Sequence, residues 1–209
     1  TMREFPMPTR QQVRETLEAK LTEMNDAGQV PDVITFAGNG EPTLHPQFEG
    51  IIDDTIALRN QFFLFSKVSV LSNSTRVHKA QVFRALQKVD NNIMKFDSAI
   101  DRTMQLIDQP TGKQINVAWF IEQLKRFDGD LIIQTMLLRG EYKGEMFDNT
   151  TDEEVNEWLK AMEQIRPREI MLYSLDRDTP VQQLQKIDFD EMNAIAEKAR
   201  ARGFVVSVA

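Results

Sequence analysis

Apolar positions along this 209-residue chain fall into two alternating patterns, one spaced three to four residues apart and one of short unbroken runs. The first pattern predicts a helix that Thr9 caps, with Gln12 reaching back in a capping box, running through Val13, Leu17 and Leu21 to about Met24. Asp26-Ala27-Gly28 ends it. Pro31 leads into the run Val33–Ala37, which has strand length and stops at Gly38-Asn39-Gly40. Pro46 fits the first turn of a second helix, whose Phe48, Ile51, Ile52 and Ile56 keep helical spacing to about Phe62. The alternation continues with a strand at Val68–Leu71, a helix at Lys79–Val89, and a strand at Asn92–Phe96. A helix then spans Val117–Phe127, with Trp119, Phe120 and Leu124 on one face, and a buried-type strand spans Leu131–Leu138. Thr151-Asp152-Glu153-Glu154 opens another helix as a capping box, and Glu169–Tyr173 is strand-like. Asp188 and Glu191 start the last long helix, to about Arg202, which Gly203 ends before Val205–Val208.

Helices alternating with β-branched-rich strands imply βαβ units and a parallel sheet, so the class is α/β. Six strands are too few for a closed eight-stranded barrel of about 250 residues, which leaves an open doubly wound sheet or a partial barrel. The succession starts with a helix, and this suggests that a leading strand is missing. Hydrophobic residues make up 41% and charged residues 27%, the range of one soluble globular domain spanning 1–209. A chain of this size can bury roughly 70% of its unfolded surface and needs no cross-link. None is available, because there is no cysteine: disulfides, thiolate zinc sites, catalytic thiols and self-ligated iron–sulfur clusters are excluded. A net charge of -7 argues against binding a nucleic-acid backbone. No run of eighteen apolar residues and no apolar N-terminus occur, so neither a membrane span nor a secretory signal is expected, and the cytoplasm is the expected location.

In parallel α/β folds ligands sit at the carboxyl ends of strands, so the loops that follow them hold the candidate chemistry. Gly38-Asn39-Gly40 would let backbone amides approach a ligand, but Thr43 stands where a dinucleotide fingerprint needs a third glycine, and no Gly-Lys-Ser/Thr follows. The alternative is a tight strand-to-helix turn. His45 and His78 are the only histidines, each just before a helix, and helix-start capping accounts for both. No His-Glu-x-x-His or Gly-x-Ser-x-Gly occurs. Lys95 and Asp97 alternate with Phe96 and so share one side of their strand. Together they could bind a zwitterion, or they could form a structural ion pair. Arg139, where the fifth apolar segment leaves the core, could bind an anion or reach solvent.

A strand ending in Gly38-Asn39-Gly40-Glu41-Pro42-Thr43, a second ending in Leu71-Ser72-Asn73-Ser74-Thr75 and a third ending in Lys95-Phe96-Asp97-Ser98 resemble successive units of a radical S-adenosylmethionine (radical SAM) enzyme. The resemblance spans nearly the whole chain. It is narrower, through Val33–His45 and Leu131–Glu141, toward iron–sulfur oxidoreductases related to tRNA-wybutosine synthesis enzymes and activases of glycyl-radical enzymes. It implies a parallel-sheet partial (β/α)6 barrel, here lacking its first strand. It also implies that Gly38, Asn39, Gly40 and Glu41 line the methionine amino end, Ser72 and Asn73 the ribose, and Lys95, Asp97, Ser98 and Arg139 the methionine carboxylate. Asn39 departs from the family's usual glycine. The larger departure is the absence of the Cys-x3-Cys-x2-Cys loop that holds a [4Fe–4S] cluster after the first strand. With Thr1 as its first residue, the chain reads as a core domain without its N-terminal segment. The resemblance then implies S-adenosylmethionine as small-molecule cofactor and a cluster in a longer protein only. An external electron donor and an unassigned protein or RNA substrate would follow, with no membrane partner. The isolated chain is expected to be inactive. A cluster-less relative that binds a nucleoside or docks a partner, through the polar Tyr142–Asp148 loop among others, is the alternative.

Overall fold

A computed structural model of the chain describes residues 7–37, 40–111, 115–175 and 184–209. It divides into two compact units, one reaching to Ser72 and including Arg76–Asn92, the other formed by Asn73–Thr75 and Ile93–Ala209.

The first unit opens with α1 (Arg10–Asp26), where the expected capping box forms: Thr9 Oγ1 accepts from the Gln12 amide and Gln12 Oε1 accepts from the Thr9 amide. β1 (Val33–Phe36), a 3-10 turn (Pro42–Leu44), α2 (Phe48–Phe62), β2 (Lys67–Ser72) and α3 (Ala80–Leu86) follow. The apolar stripe of α1 packs against α2, where Leu21, Leu58 and Phe63 form a buried cluster flanked by Leu17, Met24 and Ile34. Asp54 of α2 binds Arg10 through two hydrogen bonds, Nε to Oδ2 at 2.7 Å and Nη2 to Oδ1 at 2.8 Å, and so clamps the start of α1. The two strands pair in parallel from Val33–Lys67 to Phe36–Val70. Their carboxyl ends, carrying Gly40-Glu41 and Ser72, therefore lie side by side. Pro46 does not enter α2 as expected. It precedes the N-cap Gln47, whose amide donates to His45 Nδ1, while His45 Nε2 lies 2.8 Å from the Pro8 carbonyl oxygen. The histidine thus acts at a helix start.

The second unit holds β3 (Asn91–Lys95) from Ile93 onward, α4 (Asp101–Asp108), α5 (Val117–Lys125), β4 (Ile132–Met136), β5 (Leu138–Tyr142), β6 (Glu145–Asp148), α6 (Asp152–Ile165), β7 (Glu169–Tyr173), β8 (Leu184–Lys186), α7 (Phe189–Arg200) and β9 (Val206–Val208). β3, β4, β7 and β9 pair in parallel in that order, with Lys95 beside Gln134, Gln134 beside Met171 and Met171 beside Ser207. Alternation gives these strands two faces. Met94, Ile133, Ile170 and Val206 are buried on one, where Phe96 meets Phe120 of α5 edge-on and Trp158 of α6 donates to Thr135 Oγ1 at 3.1 Å. Lys95, Gln134, Met171 and Tyr173 belong to the other and stay partly exposed.

Two expectations need correction. The run Leu131–Leu138 is not one strand: β4 stops at Met136, and Leu138 starts β5, which turns antiparallel. The Tyr142–Asp148 stretch is not a loop but the end of β5 and all of β6, joined by Lys143 and Gly144 at φ +54° and +83°. Two consecutive positive φ values suit the tight turns of hairpins, and glycine supplies the second without strain. β6, β5 and β8 form a separate three-stranded sheet. Buried Asn149 anchors it: Oδ1 accepts from the Leu138 amide, and Nδ2 donates to the carbonyls of Asp97 and Met136. No helix among the described residues is long and apolar enough to cross a membrane.

Candidate cofactor-binding site

In the first unit the loop after β1 is the candidate. Gly38 and Asn39 lie outside the described residues. Gly40 adopts φ +141°, a conformation that side-chain-bearing residues disfavour, and among the described residues no heavy atom outside its immediate chain neighbours lies within 4 Å of where a Cβ would sit. Its glycine identity therefore serves the turn itself. Glu41 caps the 3-10 turn, and three donors converge on its Oε1: the Thr43 amide at 3.1 Å, the Thr43 hydroxyl, and Ser72 Oγ at 2.9 Å. Thr43 and Ser72 are buried and Glu41 is half-buried, so the carboxylate is held in one orientation at the carboxyl ends of β1 and β2. A carboxylate fixed and partly desolvated in this way is preset to accept further hydrogen bonds from a cation.

In the second unit the predicted residues meet partners of that unit. Lys95 Nζ lies 2.7 Å from Asp97 Oδ2 and 2.9 Å from Asp108 Oδ1. Asp97 Oδ1 also accepts from the Met136 amide at 2.9 Å. Burial and the neighbouring Asp108 push the Asp97 carboxyl up to about 8, against the pull of Lys95. Burial alone would lower the Lys95 ammonium, but the two carboxylates hold it above the ordinary lysine range. Tyr173 is pushed up to about 12, by burial first and by Asp97 second. Ser98 Oγ donates to Glu154 Oε2 at 2.7 Å and accepts from the Ile100 amide at 2.9 Å; burial raises the Glu154 carboxyl above its usual range. Arg139 is held by Asp148, Glu191 and the Thr150 hydroxyl. Asn73 Oδ1 accepts from the amide and hydroxyl of Thr75, an Asx turn.

The structure thus brings Glu41 together with Ser72, and Lys95 with Asp97. It places Ser98 and Arg139 in separate polar networks. Asp108, Asn149 and Tyr173 were not anticipated. Asp108 and Tyr173 meet Lys95 and Asp97 only through folding, whereas Asn149 stands in the turn-forming Asp148-Asn149-Thr150-Thr151 stretch, whose composition is its one local signal. The chain's residues do not fit a [4Fe–4S] cluster. There is no cysteine, and among the described residues no group of three or more metal-ligating side chains could hold an ion.

This architecture is the fold of the radical SAM enzymes, the class that the strand ends anticipated. A radical SAM methyltransferase from Sphaerobacter thermophilus superposes over 97% of this chain and 57% of its own, with a TM-score of 0.70 at 15% identity. A domain of pyruvate-formate lyase-activating enzyme from Bacteroides vulgatus matches over 84% of this chain and 98% of its own, with a TM-score of 0.59 at 16% identity. Streptococcus suis SuiB bound to S-adenosylmethionine matches over 94% of this chain and 43% of its own, with a TM-score of 0.65 at 13% identity. Among curated proteins, a UPF0026 protein of Synechocystis sp. is 31% identical over 154 residues, covering 72% of this chain and 53% of the relative. GTPase Obg of Brachyspira hyodysenteriae is 28% identical over 173 residues, 81% of this chain and 23% of the relative. The chain therefore spans about half or less of the length of these relatives. No family model matches it.

Proposed function

We propose that this chain is the S-adenosylmethionine-binding core of a radical SAM enzyme. The observation that carries the reading is Glu41, whose carboxylate three protein donors orient at the carboxyl end of β1, in a fold matched by a SAM-bound neighbour. In this reading Glu41 accepts a hydrogen bond from the methionyl ammonium, the Gly38–Gly40 backbone lines the same end of the cofactor, and Ser72 keeps Glu41 in place. Bound S-adenosylmethionine supplies an alkyl group or radical precursor activated by its sulfonium. The chain's own contribution is binding and orientation. Lys95, Asp97, Ser98 and Arg139 have internal partners, and the proposal assigns them no cofactor contact. Because the chain lacks cluster ligands, no reductive step is derived from it. The proposed activity of a longer protein, and an oxidoreductase or activase role in particular, would need iron ligated by residues other than these 209.

Isothermal titration of the chain with S-adenosylmethionine tests the proposal. Binding should occur without iron, and Glu41→Gln should weaken it about tenfold, roughly the 1.4 kcal/mol of one charge-assisted hydrogen bond. Absence of binding, or equal binding by the variant, would refute the assignment. Tighter binding of adenosine than of S-adenosylmethionine would favour a cluster-less nucleoside-binding relative.

A further inference from the structure

The second unit contains a cavity of about 710 Å³ that the cofactor reading does not use. Its size falls within the usual range for small-molecule sites, about 300–1,000 Å³. The β5–β6 hairpin and β8 form one wall, and the first turns of α4 and α6 form the other. Ile100, Met146, Phe147 and Leu184 give it an apolar lining, and Met146 is 63% exposed despite its size.

Charge decides what could enter. Both arginines on the wall already have acidic partners: Arg139 with Asp148 and Glu191, and Arg102 with Glu145 at 3.2 Å. The wall carboxylates Glu141 and Glu153 have no ion pair among the described residues. Acidic residues at the first turn of α6, here Asp152, Glu153 and Glu154, are ordinary helix chemistry, but Glu141 lies on β5 and the helix terminus does not account for it. This open pocket is also framed by hydrogen-bonded elements. Asn149 fixes the base of β5, Ser174 Oγ donates to the Leu137 carbonyl and accepts from the Ile187 amide just beyond β8, and Glu154, 5% exposed, ties the first turn of α6 to Ser98. An apolar-lined, preorganised cavity with surplus negative charge favours a ligand with a positive head and an apolar body.

We propose that this cavity binds an organic cation, the chemistry of a lysine side chain in a peptide or of a free polyamine. The inference does not rest on S-adenosylmethionine binding and survives its failure. The test is an NMR titration of the chain at low salt with two probes, spermidine and acetyl-lysine N-methylamide, with amide shifts read at Gly140, Glu141 and Thr151. Glu141→Gln/Glu153→Gln should weaken the better probe at least fivefold. A charge-matched control on α1, Glu15→Gln/Asp26→Asn, should leave its affinity unchanged. Preference for the lysine amide assigns a peptide source, and preference for spermidine a polyamine source. Three results would overturn the proposal: no shift at these amides with either probe, equal weakening in the control, or inorganic phosphate shifting the same amides.

Discussion

Replacing Asn149 with alanine should be among the most destabilising polar substitutions in the second unit. Its side chain accepts from the Leu138 amide at 2.9 Å and donates to the Asp97 and Met136 carbonyls at 2.9 and 2.7 Å. The residue is 4% exposed, so water cannot readily replace those partners. Alanine leaves one buried N–H and two carbonyls without them, at a net cost of about 1 kcal/mol each, or about 3 kcal/mol together. For a chain of this length 1 kcal/mol corresponds to about 2–4 °C, so the Tm should fall by about 6–12 °C. Differential scanning calorimetry measures this directly, with Asn25→Ala as an exposed control expected to stay within about 0.5 kcal/mol. A loss of under 1 kcal/mol in Asn149→Ala would refute the view that this residue holds the antiparallel sheet to the ends of β3 and β4.

Three further outcomes follow from other parts of the structure. The Asp97 carboxyl, pushed up to about 8, favours the folded state fully only below its unfolded value; that contribution is lost as pH rises toward 8. Urea midpoints at pH 5, 7 and 8.5 should therefore move in favour of Asp97→Asn over wild type by at least about 1 kcal/mol across the range, and a constant difference would contradict this. Leu21→Ala, in the α1–α2 cluster, should cost about 2–5 kcal/mol in chemical denaturation; under 1 kcal/mol would mean that the helix is not packed there as described. Anaerobic treatment with iron and sulfide, followed by desalting, should leave the chain without bound iron or a cluster absorption band. Retained iron would contradict the misfit between these residues and a cluster.

The six parallel strands could be read from the sequence because each is a short, largely apolar run between helical segments, some of which have explicit caps, such as Thr9–Gln12 and Asp188–Glu191, while α2 and α3 have no side-chain cap. The antiparallel sheet was harder to see. Arg139, Glu141, Glu145 and Asp148 dilute the alternation of β5 and β6, and the informative signal was the Lys143-Gly144 pair between them. α4 has no side-chain cap; its buried face is Thr103 and Met104, too little for a periodic signal. At the candidate site, Glu41 was singled out by the resemblance of the Gly38–Thr43 loop to a family motif; it lies beyond the end of β1 at Phe36, where strand alternation says nothing about it. Asp148 faces Arg139 across the hairpin that the Lys143-Gly144 turn sets, so that partner follows from spacing once the turn is seen; Asp108 and Glu191, the other partners of Lys95 and Arg139, come from distant elements, and residue spacing carries no trace of them. The same alternation that put Lys95 and Asp97 on one side of β3 is compatible with a ligand or an ion pair, and the fold sets Lys95 Nζ within 2.7 Å of Asp97 and 2.9 Å of Asp108.

A crystal structure of the chain soaked with S-adenosylmethionine tests the central claim most directly. The account predicts the methionyl amino nitrogen within hydrogen-bond distance of the Glu41 carboxylate, with Ser72 still donating to Oε1. Cofactor bound with its amino group away from Glu41, or density for it elsewhere on the chain only, would contradict it.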